Sequence, residues 1–315
     1  MTKRLNVAFL GADDPVGEAA LRLVSERDIE VGKVFPLTLS ESEGCVTVRG
    51  EEMPLLEVSG FDWTRADILV NATRSIAASR LEASAEKAGC RVIGFGQGDG
   101  ASARIALEGA VSIALHRVLA PILRDTPLES LAVVATLPVA AAGEAGVAEL
   151  AAQTRALFSM ESIAPEVFPL QIAFNLIPQV GSMQADGSSR LEQDVATEIK
   201  AMLGCPDLPV SVTAVWAPLF YGAAVSVHAS ARERVDIEQL RKRLARHDGI
   251  TVMDTALPGG VATPGTDAQD SDTVFVSRFR PGADPGRDFA MWLVIDLIRL
   301  EATRIMDCLE NLIEK

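Results

Sequence analysis

The sequence predicts an α/β chain of two domains, the first doubly wound around a parallel sheet and the second an α+β unit with a mainly antiparallel or mixed sheet. Three observations carry this. Short apolar runs alternate with helix-period segments through residues 1–124, the pattern of strands joined by crossover helices. Beyond Asp125-Thr126-Pro127 the strand-like runs lengthen and helices become fewer, as in a sheet covered on one face. And 315 residues exceed what one core supports, about 250–300.

In chain order, Leu5–Leu10 is an apolar run stopped by Gly11, the expected first strand. Val16–Arg27 repeats Val16, Ala19, Ala20, Leu23 and Val24 at helical spacing and reads as the first helix. Val31–Leu37, Val46–Arg49, Ile68–Val70 and Arg91–Phe95 read as strands, with an Ala- and Glu-rich helix over Ile76–Ala88. Ala103–Leu123 reads as a further helix. In the second half, Ser130–Val139, Pro209–Ala217, Ala223–Ala229 and Thr273–Arg280 are strand-like, and Gly143–Phe158 and Asp236–Arg246 helical. Ala256–Gly265, rich in Pro and Gly, is expected as a surface loop, and Phe289–Ile313 as one long amphipathic helix returning to the first domain. The expected domains are thus 1–124 with about 297–315, and 125–296.

Composition narrows the function. Hydrophobic residues are 48% and charged residues 23%, the balance of a folded soluble chain. The 29 Lys and Arg against 43 Asp and Glu give a net charge of -14, a poor surface for nucleic acid or anionic lipid. No run approaches the ~20 apolar residues of a membrane span, and Met1–Val7 lacks a signal-peptide profile, so a cytoplasmic location is expected. Cys45, Cys90, Cys205 and Cys308 form no C-x-x-C pair, and the only histidines are His116, His228 and His247, so no metal site is expected.

The sharpest local signal is Gly11-Ala12-Asp13-Asp14-Pro15-Val16-Gly17, between the first strand and first helix. Gly11 and Gly17 stand where a dinucleotide loop of the Rossmann type places its outer glycines, letting a pyrophosphate approach a helix N-terminus. Asp14 takes the middle place, beside Asp13. A diphosphate next to either would meet like charge, at about 1 kcal/mol in water or about 4 at an effective dielectric of 20. The carboxylate could instead cap the helix. Two readings therefore stand: a weak NAD(P) site, or the same fold without a cofactor.

Phe168–Pro178 (FPLQIAFNLIP), Asp207–Thr213, Thr273–Arg278 and Trp292–Asp296 resemble the aspartate-semialdehyde dehydrogenase family, most closely its Usg branch, colinearly over nearly the whole chain. The resemblance implies a Rossmann-like NAD(P)-binding domain, a dimerisation domain carrying a homodimer interface, and NADP-dependent reductive dephosphorylation of aspartyl phosphate. That reaction needs a Cys nucleophile, a His acid and base, and Arg clamps. Aligned on Leu119-Ala120-Pro121, the nucleophile position is Ala110; a catalytic Gln becomes Leu137, the substrate Arg becomes Trp216 and the His becomes Ala223. Asp194 replaces a Lys, Gly100 an Arg, and Ile305 a cofactor-side Asn. Where the family binds the adenosine 2′-phosphate, Ser40 and Ser42 remain, opposed by Glu41 and Glu43.

No base accompanies Ser112 as a substitute nucleophile, and His228, five residues beyond Ala223 on one strand-like stretch, is expected on the opposite face. The cofactor-binding candidates are Gly11, Gly17, Ser40 and Ser42, with no catalytic residue, no required cofactor and weak NADP binding. The resemblance implies a catalytically degenerate, homodimeric binding or regulatory protein, with a heteromeric partner as a further option. The alternative is an NADP-dependent oxidoreductase of the family type. The apolar run Phe168, Ile172, Phe174, Leu176 and Ile177 is the expected interface.

Overall fold

The computed structural model describes residues 4–40, 44–96, 104–255 and 257–314. It divides into two compact units, Met1–Glu108 with Glu301–Lys315, and Gly109–Leu300.

The first unit holds β1 (Val7–Leu10), α1 (Pro15–Glu26), β2 (Val34–Thr38), β3 (Cys45–Val48), β4 (Glu51–Pro54), β5 (Leu56–Glu57), β6 (Ile68–Asn71), α2 (Ile76–Lys87), β7 (Arg91–Phe95) and β8 (Ile105–Leu107). Six strands form a parallel sheet in the order β5-β2-β1-β6-β7-β8, and β3 and β4 make a separate antiparallel hairpin. β1 is apolar throughout and wholly buried, as a strand covered on both faces must be. α1 starts with Pro15, whose missing N–H costs nothing at a helix start, and buries Ala19, Ala20, Leu23 and Val24 while Glu18 and Arg22 face out. Chain order reverses between β1 and β6, so the topological switch point lies at their carboxyl ends. Cys45, at the start of β3, is exposed.

The second unit comprises α3 (Ala110–Leu123), β9 (Leu128–Leu137), α4 (Gly143–Phe158), α5 (Arg190–Met202), β10 (Val210–Trp216), β11 (Ala223–Ala231), α6 (Ile237–Leu244), β12 (Ile250–Val252), α7 (Pro264–Asp267), β13 (Val274–Pro281), β14 (Asp288–Ile295) and the start of α8 (Leu297–Ile313). Its mixed sheet runs β10-β9-β11-β14-β13-β12, with parallel pairs only at its two edges. The inward residues Leu131, Val133, Ala135, Val225, Val227, Met291 and Leu293 join α3, α5 and α6 in one apolar core. On the other face of the sheet Val134 and His228 are exposed.

Several expectations change here. The expected helix over Ala103–Leu123 contains strand β8 before α3 begins; residue 103 lies outside the described residues. The expected helix from Phe289 is strand β14 until Ile295. The contact boundary falls at Glu108/Gly109, earlier than 124, because Ala110, Val111, Ala114, Leu115, Val118, Leu119 and Ile122 are buried in the second unit's core. Pro264–Asp267, at the end of the expected 256–265 loop, is a short helix. In the expected interface run, Phe168, Ile172 and Ile177 pack inside their own chain with Val139 and Leu150, leaving Phe174 and Leu176 exposed. Among the described residues no helix is long and apolar enough to cross a membrane, and no three His, Cys, Asp or Glu side chains are grouped to hold a metal ion.

Candidate functional site

The glycine loop leaves β1 at the switch point. Gly11 has φ +77, a left-handed conformation that suits glycine, and a Cβ there would stand 2.9 Å from the Asp14 carboxylate and 3.0 Å from Thr73 Cβ. At Gly17 a Cβ would lie 1.9 Å from the Gly11 carbonyl oxygen, so the first turn of α1 sits directly on the loop. Both glycines are therefore required by the turn itself.

Two carboxylates fill the mouth of this turn. Thr38 Oγ1, at the end of β2, donates to Asp13 Oδ2 at 2.7 Å. Asp14 has the extended backbone of an N-cap, yet its side chain makes no cap hydrogen bond to α1, so it does not take the capping role open to it. It bonds Thr73, just past β6, instead. The Thr73 hydroxyl also accepts the Ser75 N–H at 3.2 Å. Asp13 and Asp14 thus tie the carboxyl ends of β2, β1 and β6 together. Burial pushes the Asp14 carboxyl up from its ordinary range, the Thr73 hydrogen bond opposes that, and the neighbouring Asp13 charge adds to it. Beside them Arg74 lies over the Phe95 ring at 3.9 Å and clamps Glu301 with two hydrogen bonds of 2.7 and 2.9 Å. Ser40 is exposed beyond β2. Ser42, Glu41, Glu43 and Gly100 lie outside the described residues.

The second unit gathers the positions where the family reaction would place its groups. Ala110 opens α3 after an N-cap at Gly109, and is 2% exposed. Ala110, Leu137 at the end of β9 and Ala223 at the start of β11 belong to a single packed apolar cluster, with Trp216 at the end of β10 against it. The Trp216 ring meets Phe168 edge to face at 5.2 Å, and its backbone bridges Ile177. None of these four side chains carries a nucleophile, a base or a cation. His228 is exposed on the face opposite buried Ala223, Val225 and Val227, as the odd offset requires. The Ser112 hydroxyl is fully buried without a hydrogen-bond partner. Arg117, beside His116, gives one guanidinium N–H to the Asp272 carbonyl.

Sequence reasoning missed Thr38, Thr73 and Arg74, whose roles depend on which strands are neighbours. It also missed Glu198 of α5, whose Oε2 accepts the Gly109 N–H at 3.0 Å and so caps the helix that Ala110 opens. The motif that pointed to the loop, glycines six apart after an apolar run, contains no signal for either.

A parallel doubly wound sheet with a glycine turn at its switch point, followed by a mixed-sheet unit, defines the class of NAD(P)-fold two-domain dehydrogenases. Residues 119–300 match the family model described as "Semialdehyde dehydrogenase, dimerisation domain", and the chain belongs to that family. It is 32% identical to a USG-1 protein homolog of Pseudomonas aeruginosa, across 95% of this chain and 94% of the relative. It is 27% identical to an aspartate-semialdehyde dehydrogenase of Rickettsia bellii over the same shares. The crystal structure of aspartate semialdehyde dehydrogenase II of Vibrio cholerae complexed with ASA superposes with a TM-score of 0.92, at 28% identity, covering 100% of this chain and 99% of that one.

Proposed function

We propose that this chain is a catalytically degenerate member of the family that acts as a dimeric binding or regulatory protein. One observation carries the reading: at the positions where a thioester mechanism needs a thiol, an amide and a base stand Ala110, Leu137 and Ala223, all buried in the second unit's apolar core, and where it needs a cation stands Trp216, packed against that core. Purified protein given aspartate semialdehyde, phosphate and NADP is expected to form no NADPH above blank. Ala110→Cys alone is expected to stay inactive, since a thiol without an adjacent base is poorly activated. Turnover that survives repurification overturns this reading in favour of an NADP-dependent oxidoreductase.

The residues of the glycine loop argue against tight dinucleotide binding. A pyrophosphate at Gly11 and Gly17 would face the Asp13 and Asp14 carboxylates, which already take the hydroxyls of Thr38 and Thr73. NADP binding is therefore expected to be weak, no cofactor is required, and Asp13→Thr with Asp14→Gly should tighten binding at least tenfold by calorimetry. Tight binding to the wild-type chain would contradict the charge argument. The assembly proposed is a homodimer through the second unit, in the cytoplasm; a heteromer with another family member is the other form such a regulator could take.

A further inference from the structure

We propose that the cleft between β2 and the β3–β4 hairpin is a binding site for a small monocarboxylate with an apolar body. It lies at the end of β2 away from Thr38 and the glycine loop, and it does not depend on whether the family reaction is lost. The cleft holds about 460 Å³, within the range of roughly 300–1,000 Å³ usual for small-ligand pockets.

Strand pairing explains why the space exists. The Lys33 carbonyl accepts the Val7 N–H, and the Leu37 carbonyl accepts those of Gly11 and Ala12, so the odd-numbered peptide groups of β2 face β1. The even-numbered ones face outward, where β5 pairs only with Leu37 and Thr38. Val34 therefore turns its N–H and carbonyl toward the cleft with no strand beside it. Pro36 has no N–H to continue a ladder, which disfavours an added peptide strand and favours a compact molecule.

The lining selects the ligand. Val34, Phe35, Pro36, Val48 and Leu56 make apolar walls, and Lys33 and Arg49 bring positive charge. Lys33 is exposed, and its ammonium has no partner among the described residues. Arg49 opens the two-residue turn between β3 and β4 with φ +53, a place where hairpins ordinarily use asparagine, aspartate or glycine. It is held there by its N–H, which donates to Ser25 Oγ at 2.7 Å, and by one guanidinium bond to the Ile29 carbonyl. The other guanidinium N–H groups have no partner among the described residues, so a flat fork is left for a carboxylate. Glu51, opposite Val48 in the hairpin, also lines the cleft and has no ion pair among the described residues. Two cations against one carboxylate favour a ligand with a single negative charge and oppose a second.

Calorimetry with phenylacetate, its neutral amide phenylacetamide, and the dicarboxylate phenylsuccinate tests this. Phenylacetate is expected to bind roughly tenfold more tightly than either of the others, the preference that charge-assisted hydrogen bonds confer. Lys33→Gln/Arg49→Asn should erase the preference over the amide, and asparagine suits the turn, so the variant is expected to keep its fold by circular dichroism. Glu51→Gln should narrow the gap to phenylsuccinate. Methionine-methyl resonances locate the ligand: the signal of Met53, which lines the cleft, is assigned through Met53→Leu and should move on titration. That of Met291, buried in the second unit's core, should stay. The proposal falls if wild type binds acid and amide equally, or binds neither at about 10 mM. It falls equally if the double variant keeps the full preference, or if Met291 shifts and Met53 does not. Should that variant misfold, the wild-type comparison of acid with amide and the Met53 signal decide the matter by themselves.

Discussion

At the scale of single residues, Asp14 and Gly17 show how the loop spends its chemistry. Asp14 holds its proton more tightly in the folded chain than in the unfolded one, chiefly through burial. Its contribution to stability is therefore complete below the ordinary value of 3.8 and is lost as pH rises through the raised one. Asp14→Asn should flatten the pH dependence of urea unfolding just above about pH 4 and stabilise the protein at pH 7. An unchanged slope would show that the carboxyl is better solvated than its contacts imply. Gly17→Ala sets a methyl group 1.9 Å from a backbone oxygen that cannot swing aside. It should cost about 3 kcal/mol, read as a lowered urea midpoint.

Among elements, α8 carries its own test. Within the first unit Arg27 pairs with Asp307 at 2.8 Å, Arg304 with Glu108 at 2.9 Å, and Arg74 with Glu301, whose side chain is only 7% exposed. Removing Arg74 strips that carboxylate of its bidentate partner, so Arg74→Ala should destabilise by about 2–3 kcal/mol. Arg74→Ala/Glu301→Leu should recover most of the loss, and a double-mutant cycle in urea measures the coupling. Elements also mark where sequence reading succeeds and fails. α1 is legible because one side of it is buried and the other wet, which leaves a helical period. β14 reads Phe-Ala-Met-Trp-Leu-Val-Ile after its first residue and is buried at most positions, so no period separates it from a core helix. β8, at three residues, is too short to show any period. Ala110 and Ala223 could be placed from the colinear resemblance, whereas the Asp14–Thr73 bond exists only because β6 lies beside β1. That adjacency is a property of strand order and leaves no mark in either segment.

For the whole molecule, charge and assembly act against each other. Two chains of -14 repel at long range, and salt screens that repulsion within about 10 Å at 0.1 M. The proposed dimer is therefore expected to tighten between 20 and 200 mM salt, with sedimentation equilibrium as the measure. Weakening over that range would mean that ion pairs, and not apolar contacts, hold the copies together.

The staple at the switch point has one further consequence, in the linkage between ligand and fold. A protein that binds a dinucleotide only when folded gains stability as the logarithm of ligand concentration. Here the Thr38 and Thr73 hydroxyls already have carboxylates as partners, and on the proposed reading the unit needs no ligand to complete it. Its melting temperature should therefore move little between zero and millimolar NADP. Such a protein would keep the same abundance and shape whether a cell's nucleotide pool is full or depleted.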